Sequence, residues 1–241
     1  CFSSISSAQE KTKVILATGT AFSITKNGFL LTSAHILNEK DKIEVIIPGK
    51  NVLIPAKLIA LDRTADIALL KISSDTIPLP IVDLANVNSG LDIVALGYPN
   101  PQVFGESLKI TSGIINSIDS NKLTPFLFQF SAQILPGNSG GPLVNVSGEI
   151  IGINSRIFSS DKKNPGFQGI GFAIPSNDAF RTLQTILAKG RPNRGFLGMV
   201  LQDLDPYARE KFGFQTPGGV AVVGLAPDSP ATTAGLEIDD V

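Results

Sequence analysis

The 241-residue chain has very few of the residues that build cross-links and metal sites. It contains one cysteine, one histidine, one methionine and no tryptophan. A single cysteine cannot form a disulfide within the chain, and one cysteine with one histidine cannot supply the ligands of a typical zinc site. We therefore expect no metal, and any imidazole chemistry has to use His35.

The chain also lacks a charge excess and a long apolar run. Its 20 Lys and Arg balance 21 Asp and Glu, for a net charge of -1, and no basic run could follow a phosphate backbone. Nucleic acid is therefore not expected as a partner. No stretch of 18 or more apolar residues occurs, so we expect no membrane-spanning helix.

What the sequence does contain is typical of a globular, all-β protein: 43% hydrophobic residues, 23 Gly and 16 Pro. The turn dipeptide Asn27-Gly28 between two apolar runs predicts a hairpin, and about ten strands are expected in all. Asn88-Ser89-Gly90 is the predicted crossing between two β-barrels. Further strands are predicted at 43–47, 52–61, 67–72, 93–96, 108–115, 126–130, 150–153 and 169–174.

One helix is expected to close this domain. It follows Pro175, has Ser176 or Asn177 as its cap, and ends at Gly190. Its predicted apolar face consists of Phe180, Leu183, Ile186 and Leu187. Residues 191–194 then form a short linker, and residues 195–241 mix strand and helix patterns over a length that is marginal for a core of its own.

The most specific motif is Leu135-Pro136-Gly137-Asn138-Ser139-Gly140-Gly141. Glycines give a turn the freedom to bring backbone amides together, and the N–H groups of Gly137 and Ser139 could converge on one point beside the Ser139 hydroxyl. A nucleophile and an anion site in one loop are what acyl transfer needs. The alternative is a tight turn with an incidental serine.

A serine nucleophile needs a base, and His35 is the only imidazole in the chain. A lone histidine after a strand is more often a structural residue, but here the Ser139 motif requires such a partner. A carboxylate must then orient the ring. Asp66, directly before an apolar strand, is the first candidate, and Asp62 is the competing one, interpreted as a surface charge.

These three blocks resemble a known family. The stretches TSAH with His35, ADIALLKI with Asp66 and PGNSGGPLV with Ser139 are similar to the catalytic blocks of trypsin-like serine peptidases, and most closely to the HtrA (Deg) family. The resemblance covers roughly residues 12 to 190. It implies a chymotrypsin-like double β-barrel with a C-terminal helix, a cleft between the barrels, and no cofactor.

The resemblance also implies the details of the site and its surroundings. Ile134 and Ile170 are similar in position to residues that line the specificity pocket, which favours small aliphatic side chains; both could equally be ordinary core residues. The family cleaves unfolded or damaged polypeptides in the bacterial cell envelope and commonly assembles as a homo-oligomer, a trimer.

Residues 191–241 are similar to the start of a PDZ domain, a partial α+β module. Its carboxylate-binding loop would be Phe196, Leu197, Gly198 and Met199, which implies C-terminal peptides as ligands. The sequence stops at Val241, before the helix and strands that complete the groove in this family. Peptide binding by this module is therefore in doubt.

The N-terminal residues 1–11 are interpreted as a tether. The chain begins Cys1-Phe2-Ser3-Ser4 without an initiator Met, which resembles a mature bacterial lipoprotein with lipid on Cys1; an arbitrary boundary is the alternative. A lipid on Cys1 would be the only membrane contact, giving a periplasmic or lipid-anchored protein.

The sequence thus predicts a serine endopeptidase with the triad His35, Asp66 and Ser139 and an oxyanion hole at Gly137 and Ser139, in a domain over 12–190. One rival hypothesis is a non-catalytic or conditionally active chaperone that keeps a protease fold. The second is a scaffold whose main role belongs to the PDZ-like residues 191–241.

Overall fold

The computed structural model describes residues 17–38, 42–49, 52–82, 87–99, 107–118, 127–157, 170–190, 195–211, 213 and 219–241. The chain forms two compact units, Cys1–Pro192 and Asn193–Val241. The predicted tether with Cys1 and the predicted linker 191–194 lie outside the described residues.

The first half of the larger unit is a five-stranded antiparallel sheet with the strand order β1-β2-β5-β4-β3. The Asn27-Gly28 dipeptide forms the turn between the first two strands, as predicted, with Gly28 at a positive φ of 85°. The strands are β1 Phe22–Ser23, β2 Phe29–Thr32, β3 Ile43–Ile46, β4 Leu53–Asp62 and β5 Ile67–Ile72.

The second half is a closed antiparallel barrel with the order β10-β11-β8-β7-β6-β9. Its strands are β6 Asp92–Gly97, β7 Lys109–Ser117, β8 Phe128–Phe130, β9 Pro142–Asn145, β10 Ile150–Ile157 and β11 Gly171–Pro175. The all-β prediction is confirmed. β9 was not predicted, because it opens with a proline directly after the glycine-rich motif and is only four residues long.

Strand β5 has two buried faces because side chains alternate along a strand. Ile67 and Leu69 pack into a core that includes barrel residues such as Ile150, whereas Leu70 and Ile72 pack into a second core formed within the first sheet. This double burial explains the nearly continuous apolar run of β5. It also brings the start of β5, directly after Asp66, close to the barrel.

The chain contacts the barrel before the Asn88-Ser89-Gly90 turn that was predicted as the crossing. Ile81 forms a parallel bridge with Ile150, and the amide of Val82 donates to the carbonyl of Ile150 at 3.2 Å. Gly90 then donates to Ile115 on β7 at 2.7 Å, just before β6 begins.

Helix α1, Ser176–Lys189, ends as predicted at Gly190, which has a φ of 72° and donates its amide to Ile186. The predicted cap was wrong: the cap position is Pro175, no side chain caps the helix, and Ser176 is already helical. Leu187 was wrongly assigned to the buried face, since it is 59% exposed while Leu183 is 3% exposed. No helix among the described residues is long and apolar enough to cross a membrane.

The smaller unit contains strands β12, Met199–Asp203, and β13, Val220–Leu225, paired antiparallel. Two short helices accompany them, α2 at Pro206–Lys211 and α3 at Pro230–Thr233. Ser229 caps α3 by accepting the amide of Thr232. The described residues of this unit thus form both strands and helices, and the PDZ-like module stays a prediction.

Leu183 and Leu187 provide a matched pair that tests the buried face of α1. We expect Leu183→Ala to lower the free energy of unfolding by about 2–5 kcal/mol, because it leaves a cavity in the core shared with β5. Leu187→Ala on the exposed face is expected to change it by less than about 0.5 kcal/mol. Urea denaturation of both variants makes the comparison, and equal losses would contradict this packing.

Candidate active site

Asp66 occupies the turn between β4 and β5 in an unusual backbone conformation, with a φ of 57°. Aspartate and asparagine tolerate this left-handed region better than most residues. The Asp66 side chain is buried, with 5% of the residue exposed. Its backbone carbonyl accepts the amide of Ala34 at 3.2 Å, so the turn is held against the segment that carries His35.

His35 lies in a short 3-10 turn, Ala34–Ile36, that follows β2. Its Nδ1 is 3.0 Å from Asp66 Oδ1 and 2.9 Å from Oδ2, and its backbone N–H donates to Oδ1 at 2.9 Å. An ionised carboxylate only accepts hydrogen bonds, so Nδ1 carries a proton and donates it to Asp66. The His35 side chain is 47% exposed, so the ring is open to solvent.

Ser155, on β10 of the barrel, completes the shell around Asp66. Its hydroxyl donates to Asp66 Oδ2 at 2.6 Å, and the residue is 2% exposed. The carboxylate on the first sheet is therefore bonded to the barrel as well as to His35. The sequence did not predict this contact.

Two opposing effects act on the Asp66 carboxyl. Burial opposes ionisation, but the hydrogen bonds from His35 and Ser155 and the adjacent imidazole outweigh it, so the pKa of Asp66 lies below its ordinary value of 3.8. Asp66 is therefore an anion at neutral pH, which suits it to hold the orientation of His35.

The segment Leu135–Gly141, the Ser139 loop, begins with a tight turn. The amide of Asn138 donates to the carbonyl of Leu135 at 2.9 Å, and Gly137 has a φ of 102°, as the third position of a type II turn requires. Among the described residues, no protein acceptor receives the amides of Gly137 and Ser139. Their use as an anion site stays a prediction.

Gly140 and Gly141 leave no room for side chains. A Cβ on Gly140 would lie 2.1 Å from Thr32 Oγ1, and one on Gly141 would lie 2.2 Å from the carbonyl oxygen of Leu96. The Ser139 loop therefore packs directly between the first sheet and β6. This close approach is a second reason for the glycines, in addition to turn geometry.

The Ser139 hydroxyl donates to the backbone carbonyl of Ser155 at 3.0 Å. Within the described residues, no hydrogen bond joins Ser139 to His35. The chain thus brings His35, Asp66 and Ser139 into one network through Ser155, but the hydroxyl has to turn away from that carbonyl before it can reach His35. The groups together can accept a proton at an imidazole, attack with a hydroxyl and bind a developing oxyanion.

The interpretation of Asp62 as a surface charge was wrong. Asp62 is 3% exposed, and its Oδ1 accepts the amides of Thr64 and Ala65 at 3.0 Å each. These bonds build the turn that presents Asp66. Asp62 therefore stabilises the turn that positions Asp66. The sequence did not indicate this role, because an aspartate in a turn can be either exposed or buried.

Of the two predicted pocket residues, Ile134 is the one whose neighbours are known. Ile134 is half-buried against the barrel core, and its Cγ1 lies 3.1 Å from the point where a Cβ on Gly171 would be. Gly171 follows Ile170 directly, and Ile170 is also half-buried.

In the smaller unit, the predicted carboxylate-binding loop exposes Phe196 and Leu197, at 69% and 57%. Gly198 has a φ of 77°, and its carbonyl accepts the amide of Ala226 at 2.7 Å. Met199 begins β12.

Three comparisons with known proteins agree with this geometry. The model of the trypsin-like peptidase domain matches residues 19–153. A probable periplasmic serine endoprotease, DegP-like, from Pseudomonas fulva is 37% identical over 228 residues, which is 92% of this chain and 46% of that protein. Its counterpart in Pseudomonas savastanoi pv. phaseolicola is 38% identical over 230 residues, with the same shares. The chain thus spans about half the length of these curated relatives.

Solved structures are similar over most of the chain. The HtrA-type protease AlgW with a decapeptide is 35% identical with a TM-score of 0.77, over 91% of this chain and 67% of that one. The serine endoprotease from Yersinia pestis is 29% identical with a TM-score of 0.70, over 93% of this chain and 71% of that one.

The lowered pKa of Asp66 makes the stability of the protein depend on pH. A carboxyl whose pKa is depressed by folding stabilises the folded state above its ordinary value of 3.8, and this contribution is lost as the pH falls through the folded pKa. We expect the free energy of unfolding of the wild type to exceed that of Asp66→Asn by more at about pH 5 than below 3.8. Urea denaturation across this range measures it, and a difference that does not shrink would contradict the shift.

Proposed function

The chain belongs to the HtrA-type serine endoproteases of the trypsin-like peptidase family, and on this basis we propose that it is a serine endopeptidase with His35, Asp66 and Ser139 as its triad. The observation that carries the proposal is the hydrogen-bonded network in which Ser155 contacts both Ser139 and Asp66, while Asp66 holds His35. A half-exposed imidazole whose Nδ1 is held by a carboxylate, in one hydrogen-bonded network with a serine, is suited to acyl transfer.

In the proposed reaction, His35 Nε2 takes the proton of the Ser139 hydroxyl as Oγ attacks the scissile carbonyl carbon. The same nitrogen then delivers the proton to the leaving amine, and water later releases the acyl group. Asp66 keeps Nδ1 protonated and stabilises the imidazolium that forms. Because the Ser139 hydroxyl donates to the Ser155 carbonyl, the reaction begins with rotation of this hydroxyl toward His35.

The oxyanion is proposed to bind between the amides of Gly137 and Ser139. A tetrahedral intermediate places a full negative charge on the former carbonyl oxygen, and amides with no competing acceptor stabilise it without reorganisation. The positive φ of Gly137 supports this role, because it sets a turn in which the Gly137 N–H has no acceptor among the described residues.

We propose polypeptides as substrates and the bacterial periplasm as the location. Relatives that are named periplasmic serine endoproteases support the compartment, and the AlgW structure with a decapeptide supports a peptide substrate. Unfolded or damaged envelope proteins are the substrate class that the family resemblance favours. A homotrimer and C-terminal peptide ligands of the Phe196–Met199 loop remain predictions.

Ile134 and Ile170 are proposed to form the walls of the pocket for the residue before the cleaved bond. The closeness of Ile134 to Gly171, the residue after Ile170, supports this assignment, and the absence of a carboxylate at either position favours Val or Ala over Lys or Arg. Truncating a wall enlarges the pocket and should admit a larger side chain.

The triad is tested by covalent labelling. A fluorophosphonate probe should modify the wild type on Ser139, and Ser139→Ala and His35→Ala should each lower kcat/KM for casein peptides by more than about 10⁴-fold. Ser147→Ala, at an exposed serine in the turn after β9, serves as the control and should stay within about twofold of the wild type. Casein cleavage that survives Ser139→Ala would defeat the proposal.

The pocket assignment is tested by a change of preference. Ile134→Ala should raise kcat/KM for a peptide with Phe before the cleaved bond, relative to the same peptide with Val, by about 10-fold or more. Ile24→Ala, at a half-buried core position after β1, should lower stability and leave this ratio unchanged. A ratio that does not move with Ile134→Ala would place the pocket elsewhere.

A further inference from the structure

Thr20 is a buried threonine, 4% exposed, that lies two residues before strand β1 of the first sheet. Most of its hydrogen bonds are with residues of the barrel half of the larger unit. Its hydroxyl donates to the carbonyl of Gly137 at 2.7 Å and accepts the amide of Tyr98 at 2.8 Å. Its own backbone N–H donates to the carbonyl of Ser139 at 2.9 Å. Thr20 therefore contacts both residues whose amides form the proposed oxyanion hole.

These bonds hold two peptide planes of the Ser139 loop. The Gly137–Asn138 plane is bonded on both edges, because Thr20 donates to its carbonyl and its N–H donates to Leu135. The Ser139–Gly140 plane is held in the same way, with its N–H donating to Asn154 at 2.7 Å. A planar peptide that is bonded on both edges cannot rotate without losing a hydrogen bond.

The preceding plane, Pro136–Gly137, carries the Gly137 N–H. No hydrogen bond within the described residues fixes this plane, so its orientation depends on the turn and on the anchored plane that follows it. Release of the Gly137 carbonyl would let both planes rotate, and the Gly137 amide would no longer point to one place. The loop is rich in glycine, so its backbone offers little resistance to such a rotation.

The hydroxyl is the part of Thr20 that an apolar residue cannot replace. Any residue except proline at position 20 would supply the N–H that bonds Ser139, but only a side-chain donor can satisfy the Gly137 carbonyl. A buried carbonyl without a donor is costly, and it regains a partner by turning. The same hydroxyl accepts from Tyr98, so it also joins the end of β6 to the Ser139 loop.

We propose that Thr20 is a positioning residue for the oxyanion hole: its hydroxyl sets the direction of the Gly137 amide by holding the carbonyl of the same residue. The inference rests on the proposed function, since it concerns how that site stabilises its intermediate. It predicts a loss that is confined to the transition state. Substrate binding, which does not require the oxyanion contacts, should be preserved.

The experiment compares Thr20→Val, which removes only the hydroxyl, with Thr20→Ser, which keeps it. Kinetics of the full chain with one fluorogenic peptide should show kcat lower by about 10-fold or more in Thr20→Val, with KM changed less than about threefold. Thr20→Ser should recover kcat to within about threefold. The affinity of a peptide boronate, whose tetrahedral adduct on Ser139 places an oxygen in the hole, should fall in parallel with kcat.

Thr76→Val is the matched control. The Thr76 hydroxyl makes three hydrogen bonds, one more than that of Thr20, donating to Thr25 and accepting from Ser23 and Gly28, but none of them reaches the Ser139 loop. This variant should lose stability without a change in kcat or boronate affinity. If Thr20→Val does not fold, Thr20→Ala removes the hydroxyl without the bulk of valine and takes its place.

Two results would overturn the inference. One is a folded Thr20→Val or Thr20→Ala variant with kcat and boronate affinity within about twofold of the wild type. The other is a loss in which KM rises while kcat stays constant, which would assign Thr20 to substrate binding. Failure of the wild type to react with a fluorophosphonate at Ser139 would instead defeat the proposed function, and this inference with it.

Discussion

A buried carboxylate is the interaction on which the site depends. Asp66 belongs to the first sheet, and it accepts hydrogen bonds from His35 on the same half and from Ser155 on the barrel. An isolated charge in this position would be strongly destabilising, whereas a carboxylate surrounded by donors is stable and directional. Because its donors come from both halves, the charge that orients the imidazole also fixes the position of the first half relative to the barrel.

The Ser139 loop is also held by bonds from both halves, and it makes them with its backbone groups. Gly140 bonds to Asn154 on the barrel, and Gly141 lies too close to Leu96 for any side chain. The first half contributes Thr20, whose amide and hydroxyl bond two carbonyls of this loop. The nucleophile is thus held by contacts on both sides, while its hydroxyl remains able to turn. A rigid backbone with a mobile Oγ suits a residue that has to change its hydrogen-bond partner during the reaction.

Much of the fold could be predicted because local patterns and burial agree. Both ends of strand β5 were predicted correctly, because the polar residues Asp66 and Ser73 lie directly before and after its apolar run. The end of helix α1 at Gly190 was predicted because a left-handed C-terminal residue favours glycine. Leu187 was misplaced because spacing alone does not tell how wide the buried face of a helix is. β9 was missed because its proline and the adjacent glycines indicate a turn.

The sequence by itself determined the chemistry that is available. One histidine left no choice of imidazole, and a serine among glycines with a carboxylate before an apolar strand completed the set of candidate residues. Only the tertiary structure decided how these groups are connected: Asp62 and Asp66 look alike in the sequence, yet one builds the turn and the other holds His35. The roles of Ser155 and Thr20 also appeared only there, because their partners are 89 and 117 positions away. Hydrogen bonds between such distant residues depend on how the sheet and the barrel pack, which no local pattern encodes.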